Sequence, residues 1–201
     1  MGALASGAQT AVFASRNPDK ARELEALLPG WRVEPLVAAT FPPEVGDSYY
    51  ENARAKALFG RSVEKRQLWV LGEDSGIEVA ALDWGPGVFS ARFGADDPVG
   101  RLLVELSGIE GEGRRARYVC ELVAISPDGR ELRGTGILEG LIGHEPRGSE
   151  GFGYDPVFVP EGETITVAEL GNAWKRSNSH RARAARALLE ALGQSSPVIA
   201  S

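Results

Sequence analysis

The stretch Ala11-Val12-Phe13-Ala14-Ser15-Arg16-Asn17-Pro18-Asp19-Lys20 compresses a strand, a turn and a helix start into one short segment. Its apolar first half fits a buried strand, and the polar Ser15-Arg16-Asn17 that follows ends it. Asn17 is a helix cap by type, and Pro18 fits the first helical position, where its missing N–H costs nothing. Ala21, Leu24, Leu27 and Leu28 then recur at helical spacing. A strand turning directly into a helix predicts an α/β fold. Lys20 is the anomaly, because a cation in a helix's first turn opposes the positive end of the macrodipole. Two explanations stay open: a solvated surface lysine, or a lysine that shares the helix start with a bound anion in a phosphate-cradling turn.

The 201 residues suffice for one sizeable core, and 43% hydrophobic with 25% charged residues is ordinary globular composition. Strands and helices mix without strict alternation, and neither a repeat nor a linker divides the chain. One α/β domain over residues 1–201, with a mixed central sheet flanked by helices, is predicted. Residues 1–10 and 194–201 are small and polar and are expected to be loose tails. The net charge of −6 argues against a nucleic-acid partner and leaves room for a small anionic substrate in a locally basic pocket. The single cysteine, Cys120, excludes an intrachain disulfide and lies in an apolar run, as a buried, inert thiol would. No apolar run reaches the ~18 residues of a membrane span, and the first nine residues lack a leader's basic start and apolar core. A soluble cytoplasmic protein with no membrane partner is expected.

Outward from the opening segment, the first helix should run from Pro18 to Leu28 and a strand from Trp31 to Val37. A loop follows over Thr40 to Asp47. Ser48-Tyr49-Tyr50-Glu51 has the spacing of a capping box and predicts a helix to about Lys65. Leu68 to Gly72 and Ile77 to Leu82 read as two strands hinged at Asp74-Ser75-Gly76, and Gly85-Pro86-Gly87 as a turn. Asp97-Pro98 opens a helix with Val99, Leu102, Leu103 and Leu106 on one face. Arg117 to Ser126 and Glu131 to Ile142 read as long strands joined at Pro127-Asp128-Gly129. A glycine-rich loop over Gly143 to Asp155 leads to a short strand at Val157 to Val159. The last helix begins near Ser179, with Ala185, Leu188, Leu189 and Leu192 as its apolar face. Gly111-Glu112-Gly113-Arg114-Arg115-Ala116 matches a dinucleotide fingerprint in letters only, since it follows a helix and opens a strand.

Four clusters can carry chemistry. Glu73 and Asp74 are adjacent acids at the end of an apolar run, where a divalent cation would relieve both repulsion and desolvation. Hard oxygen ligands suit Mg²⁺, and one carboxylate can hold the ion while the other orients or deprotonates water. An ordinary solvated turn is the competing explanation. Glu44, in the preceding loop, is a further candidate ligand. Asn52 and Lys56 share one helix face, and Lys56 among small apolar residues either points at an anion or snorkels to solvent. Phe152 lies between glycines in Gly151-Phe152-Gly153-Tyr154-Asp155-Pro156, where it can stack on a flat base or tuck into the core. Lys175-Arg176-Ser177-Asn178-Ser179-His180-Arg181 again sets cations at a helix start, against the dipole. Basic regions at Lys20, Lys56 and Lys175 to Arg181, with one acidic pair, suit a metal–triphosphate complex.

These segments, in this order, resemble the inosine and xanthosine triphosphate pyrophosphatase family. The matching stretches are Ser15 to Lys20, Glu51-Asn52-Ala53, Glu73-Asp74-Ser75-Gly76, Gly85 to Gly94 with Ser90-Ala91-Arg92, Gly151 to Pro156, and Lys175 through Ser179-His180-Arg181, spanning nearly the whole chain. The resemblance implies a Mg²⁺-dependent hydrolase that cleaves deaminated purine nucleoside triphosphates to monophosphate and pyrophosphate and so cleans the nucleotide pool. It also implies an elongated α/β fold with its site in a cleft between two lobes, and a homodimer. Carried over by position, Ser15, Arg16, Asn17, Pro18, Asp19 and Lys20 match the phosphate-binding turn. Asp74 matches the proton acceptor and metal ligand, and Ser75 a substrate contact. Phe152, Gly153, Tyr154 and Asp155 match the base-binding loop; Lys175, His180 and Arg181 match contacts around base and phosphates. The family turn usually reads Thr-Gly-Asn and the acidic pair Asp-Asp, where this chain has Ser15-Arg16-Asn17 and Glu73-Asp74. Where the family often has two adjacent glutamates, this chain has Pro43-Glu44.

Arg181, a donor with no acceptor capacity, would satisfy the C6 carbonyl of hypoxanthine or xanthine and not the amino group of adenine. Two other functions remain open on these residues: a related pyrophosphatase for other modified nucleotides, which would need a different base loop, and a non-catalytic nucleotide sensor, which would need no base at Asp74.

Overall fold

The computed structural model describes residues 9–94 and 96–194. Of the expected tails, 1–8 and 195–201 lie outside the described residues. Gln9 and Thr10 are not loose: they begin the first strand, β1 (Gln9–Phe13). Helix α1 (Pro18–Leu27) follows, capped as its sequence predicts: the Asn17 side chain accepts from the N–H groups of Asp19 and Lys20. Then come β2 (Trp31–Pro35) and α2 (Tyr49–Val63), whose Ser48–Glu51 capping box is fully formed. Strand β3 (Trp69–Val79) runs unbroken, and a two-residue β4 (Gly85–Pro86) pairs back onto its far end. Helix α3 (Pro98–Glu105) leads to the hairpin of β5 (Arg115–Ile125) and β6 (Glu131–Ile142), and Gly111–Arg114 is a 3₁₀ turn into β5. The chain closes with β7 (Phe158–Pro160), α4 (Val167–Asn178) and α5 (His180–Gln194).

The seven strands form one mixed sheet in the order β2-β1-β3-β5-β6-β7, with β4 on β3. β1 is parallel to both neighbours; all other pairings are antiparallel. From β1 the chain moves outward to β2 and then crosses back to β3. The two crossover helices therefore lie on opposite faces: α1 packs with α5 in one core (Phe13, Leu24, Leu71, Leu122, Leu188), and α2 covers the other (Ala53, Ala57, Val123, Ile125). That reversal makes a crevice beyond the carboxyl end of β1, where open α/β sheets place ligands.

Two features sharpen the crevice. β1 pairs with β3 only as far as Leu71, β4 only from Glu78, and the Ser90 hydroxyl takes up the Ile77 N–H, so residues 72–76 of β3 leave one edge open between them. On the α5 face, the core breaks in two along β3. Leu71 belongs to the cluster under α1 and α5, while Ile77 joins a second with Tyr118, Leu102 and Phe158, and polar Glu73 and Ser75 lie between. Two cores with a polar seam are the two lobes of the expected architecture.

Glycine sets the helix positions. A Cβ at Gly72 would collide with the Ala53 carbonyl, and one at Gly136 with the His180 carbonyl. Both helices thus rest on bare backbone, α2 on β3 and α5 on β6. Among the described residues, no helix is long and apolar enough to cross a membrane.

Candidate active site

The expected hinge at Asp74-Ser75-Gly76 does not exist. Glu73, Asp74 and Ser75 sit mid-strand, each paired in register with β5. The physical consequence is the pleat: successive side chains leave a strand on opposite faces. Glu73 therefore points toward α1 and α5, and Asp74 toward α2. They are not a chelating pair at a turn, and the expectation that both share one ion fails on this geometry.

Each acid meets its own cations. The Glu73 carboxylate is fully buried, 2.7 Å from Lys20 Nζ and 3.0 Å from Arg181 Nη2. Burial alone would raise its pKa, but Lys20 and Arg181 outweigh it and hold the carboxyl well below the ordinary range. The dipole-opposing Lys20 is thus explained in part: its charge answers a buried glutamate across the crevice. Cys120 is buried as expected, its thiol donating to Glu73 at 3.4 Å.

On the other face, Lys56 Nζ lies 2.8 Å from Asp74 Oδ1 and 2.5 Å from Glu44 Oε1, and donates to the Glu73 carbonyl at the open strand edge, 3.1 Å away. Asn52 donates to Asp74 Oδ2 at 3.2 Å. Burial pushes the Asp74 carboxyl above its ordinary value even against Lys56, while Glu44 is held low by the same ammonium despite its own burial. Arg92 fastens the Glu44 loop by donating to the Glu44 carbonyl at 3.3 Å.

The turn after β1 borders the crevice. Ser15 Oγ accepts from the Asn17 N–H at 3.1 Å; Pro18 opens α1, and Asp19 pairs with Arg22 on its outer side. Arg16 is exposed and lies over the Phe41 ring, 5.2 Å from its centroid. A cleft of about 330 Å³ runs from Asn17 and Lys20 past Ser75 to Phe152, Gly153 and His180. Phe152 is half-buried, with Lys175 Nζ 4.5 Å and the Arg181 guanidinium carbon 5.6 Å from its centroid. Asp155 anchors the loop: it accepts from the Phe152 N–H (2.9 Å), Lys175 (2.7 Å) and the Tyr118 hydroxyl (3.2 Å). Gly153 takes φ 63°, a left-handed turn that suits glycine, and Tyr154 donates to the Ser90 carbonyl at 3.0 Å.

Lys175 is not at a helix start. It lies in the last turn of α4, a helix absent from the sequence expectations, where a cation complements the dipole. Arg181, in the first turn of α5, is almost wholly buried; Nη1 pairs with Glu23 and Nη2 with Glu73 and Ser75 Oγ. Its Nε and the His180 Nδ1 have no hydrogen-bond partner among the described residues. Glu23 is the residue that sequence reasoning missed: it pairs with both Arg181 and Lys175, the latter at 2.5 Å. Its one available signal is its place three residues after Lys20 on the same face of α1. In all, four cations (Lys20, Lys56, Lys175, Arg181) meet five carboxylates (Glu23, Glu44, Glu73, Asp74, Asp155), leaving one negative charge in excess.

His180 stacks on Tyr118, ring centroids 4.5 Å apart and 12° from parallel. Burial, then Arg181, hold its pKa well below the ordinary histidine value, so it is neutral in the fold. The unfolded chain takes a proton near pH 6.5, which the folded chain refuses. Stability attributable to His180 is therefore complete above about pH 6.5 and falls on acidification, by up to about 1.4 kcal/mol per pH unit. His180→Phe should flatten that slope, read as urea midpoints between pH 7.5 and 5. An unchanged slope would assign the proton uptake to another group.

A seam of buried ion pairs at the switch point of a mixed sheet, with an aromatic in a cationic corner, defines an α/β protein built to bind a flat, polyanionic ligand. The model of the Ham1 family matches residues 11–191, and this chain belongs to that family. It is 45% identical over 195 residues to a dITP/XTP pyrophosphatase of Thermus thermophilus, covering 92% of this chain and 93% of that protein. It is 44% identical over 181 residues to a dITP/XTP pyrophosphatase of Deinococcus deserti, covering 88% and 86%. The solved structure of a HAM1 protein from Coxiella burnetii superposes with a TM-score of 0.81 at 31% identity, over 93% of this chain and all of that one.

Proposed function

We propose that this chain hydrolyses deaminated purine nucleoside triphosphates (inosine, deoxyinosine and xanthosine triphosphates) to the monophosphate and pyrophosphate, clearing them from the nucleotide pool. The carrying observation is the cleft itself, which joins an aromatic flanked by Lys175 and Arg181 to Asn17 and Lys20 of the opening turn and to Ser75, next to the two acids of β3. The base would stack on Phe152, with Lys175, His180 and Arg181 along its edge. Of the three Arg181 nitrogens only Nε has no partner among the described residues, so that atom is the candidate for the C6 carbonyl. The polyphosphate would run along the Ser15–Lys20 turn toward Lys56.

Mg²⁺ fits the donor set at Glu44 and Asp74. Two hard carboxylates already converge on one cation, the Lys56 ammonium. Among the described residues, no three His, Cys, Asp or Glu side chains form a ready metal cluster. Two carboxylates are what Mg²⁺ takes when water and phosphate oxygens complete its shell. The excess negative charge of the cleft points the same way, since these side chains alone do not balance a triphosphate. When bound there, the ion would supply positive charge to the phosphate oxygens and to the attacking water. Asp74 orients that water and takes its proton; Glu73, on the opposite face, steadies Lys20 and Arg181. Exposed Trp84, Phe89, Ile137 and Leu141 favour a homodimer, the acidic chain disfavours a nucleic-acid partner, and a role on the nucleotide pool suits the cytoplasm.

The test is product analysis. With Mg²⁺, inosine triphosphate should yield pyrophosphate and monophosphate in equal amounts, and adenosine triphosphate should react far more slowly. Orthophosphate as the product, equal rates for both nucleotides, or binding without turnover would refute the assignment.

A further inference from the structure

Lys56 touches both carboxylates assigned above to the metal, and it has no donor to spare. An ammonium has three N–H groups. Here they face Glu44 Oε1 at 2.5 Å, Asp74 Oδ1 at 2.8 Å and the Glu73 carbonyl at 3.1 Å. The side chain is 12% exposed and rises from α2 beside Ala53 and Ala57, which rest against β3. A cation thus occupies the meeting point of the two acids, and it belongs to the protein. A divalent ion entering there would lie within a few ångströms of that charge. Two further observations bear on the exchange. The protein supplies only two carboxylates, so the ion's shell needs ligands from outside, and phosphate oxygens are the natural ones. The turn that would carry those phosphates leads into α1, whose Lys20 charge reaches both Glu44 and Asp74. A polyphosphate arriving there offers new acceptors to an ammonium carried on a flexible four-carbon stem.

We propose that Lys56 is an internal counter-ion that closes the Glu44–Asp74 pair to free divalent ions and yields it when a polyphosphate draws the ammonium away, so that metal and nucleotide enter together. The inference rests on the assignment of Glu44 and Asp74 to the metal. It makes binding reciprocal: the nucleotide raises metal affinity by the factor by which the metal raises nucleotide affinity. It also sets Lys56 apart from an ordinary phosphate ligand, whose removal would leave metal binding without nucleotide unchanged.

The test uses Mn²⁺ alone as the probe, with free Mn²⁺ followed by electron paramagnetic resonance and no nucleotide present. Wild type should bind it weakly, and Lys56→Met should bind it at least tenfold more tightly. Lys56→Gln, which keeps a polar head, should move in the same direction and serves if the methionine variant does not fold. Adding Glu44→Gln and Asp74→Asn to Lys56→Met should abolish the gain. Binding by Lys56→Met and Lys56→Gln that is equal to or weaker than wild type overturns the inference while the carboxylate assignment stands. A gain that survives removal of both carboxylates overturns the assignment, and the inference with it.

Discussion

Asp74→Asn should lower the turnover of inosine triphosphate by about 10²–10⁴-fold, the usual worth of a positioned general base. The substitution is nearly isosteric. An amide oxygen can still accept from Lys56, while the amide nitrogen then faces the Asn52 amide nitrogen, so that one hydrogen bond is lost. What disappears is the charge, and with it the capacity to take a proton and to attract a cation. The fold should suffer little, because Lys56 keeps Glu44 and because burial already disfavours the ionised carboxyl and raises its pKa. A buried group whose charged form is penalised is a poor source of stability at neutral pH. Steady-state rates at saturating Mg²⁺, beside thermal melts of both proteins, check the two halves. Turnover within threefold of wild type would remove Asp74 from the chemistry. A melt lowered by ten degrees or more would make the loss structural.

Arg181→Met should destabilise the protein by about 3–5 kcal/mol, the cost of breaking a buried ion pair from one side. The guanidinium holds Glu23 with one nitrogen and Glu73 with another, and Glu73 has no water to fall back on. With the guanidinium gone, Lys20 alone faces a buried carboxylate. The measurement is urea unfolding, with a shifted midpoint at unchanged slope. Glu73→Gln added to Arg181→Met should recover part of the loss, since the two residues are directly coupled. A cost below about 1 kcal/mol would mean that Lys20 and Lys175 already neutralise the acids. The result also governs any selectivity measurement, because an Arg181 variant reports on base recognition only where the fold survives.

Local signals were legible in the sequence because local physics fixes them. The Asn17 cap, the Ser48–Glu51 capping box, the Pro127-Asp128-Gly129 turn and the apolar stripe of the last helix all depend on residues within a few positions of one another. β3 was misjudged because Glu73-Asp74-Ser75-Gly76 has the composition of a turn. It stays extended because β5 pairs along it and because Lys20, Lys56 and Arg181 answer its charges from three different helices. Helix α4 was missed for a related reason. Its Gly171 sits at φ 83°, breaking the period, and the Asn172 N–H is capped by Glu150 from the preceding loop at 2.8 Å. Glu23 looked like any surface acid on a first helix, since its partners lie in α4 and α5 at the other end of the chain. The site residues were nameable one by one; that the two acids face apart could only come from the pleat.

The alternation of faces along β3 also bears on how sequences related to this one can diverge. Each residue between Gly72 and Ile77 has its face set by parity alone. Loss or gain of one codon there would turn over every side chain beyond it, sending one carboxylate into the other's company. Exchange of one amino acid for another keeps the parity and acts only on that residue's own contacts. A change of length in this segment is therefore far more disruptive than a change of residue. Gain and loss of residues should fall instead at places such as the Pro127–Gly129 connection, where an extra residue inverts nothing.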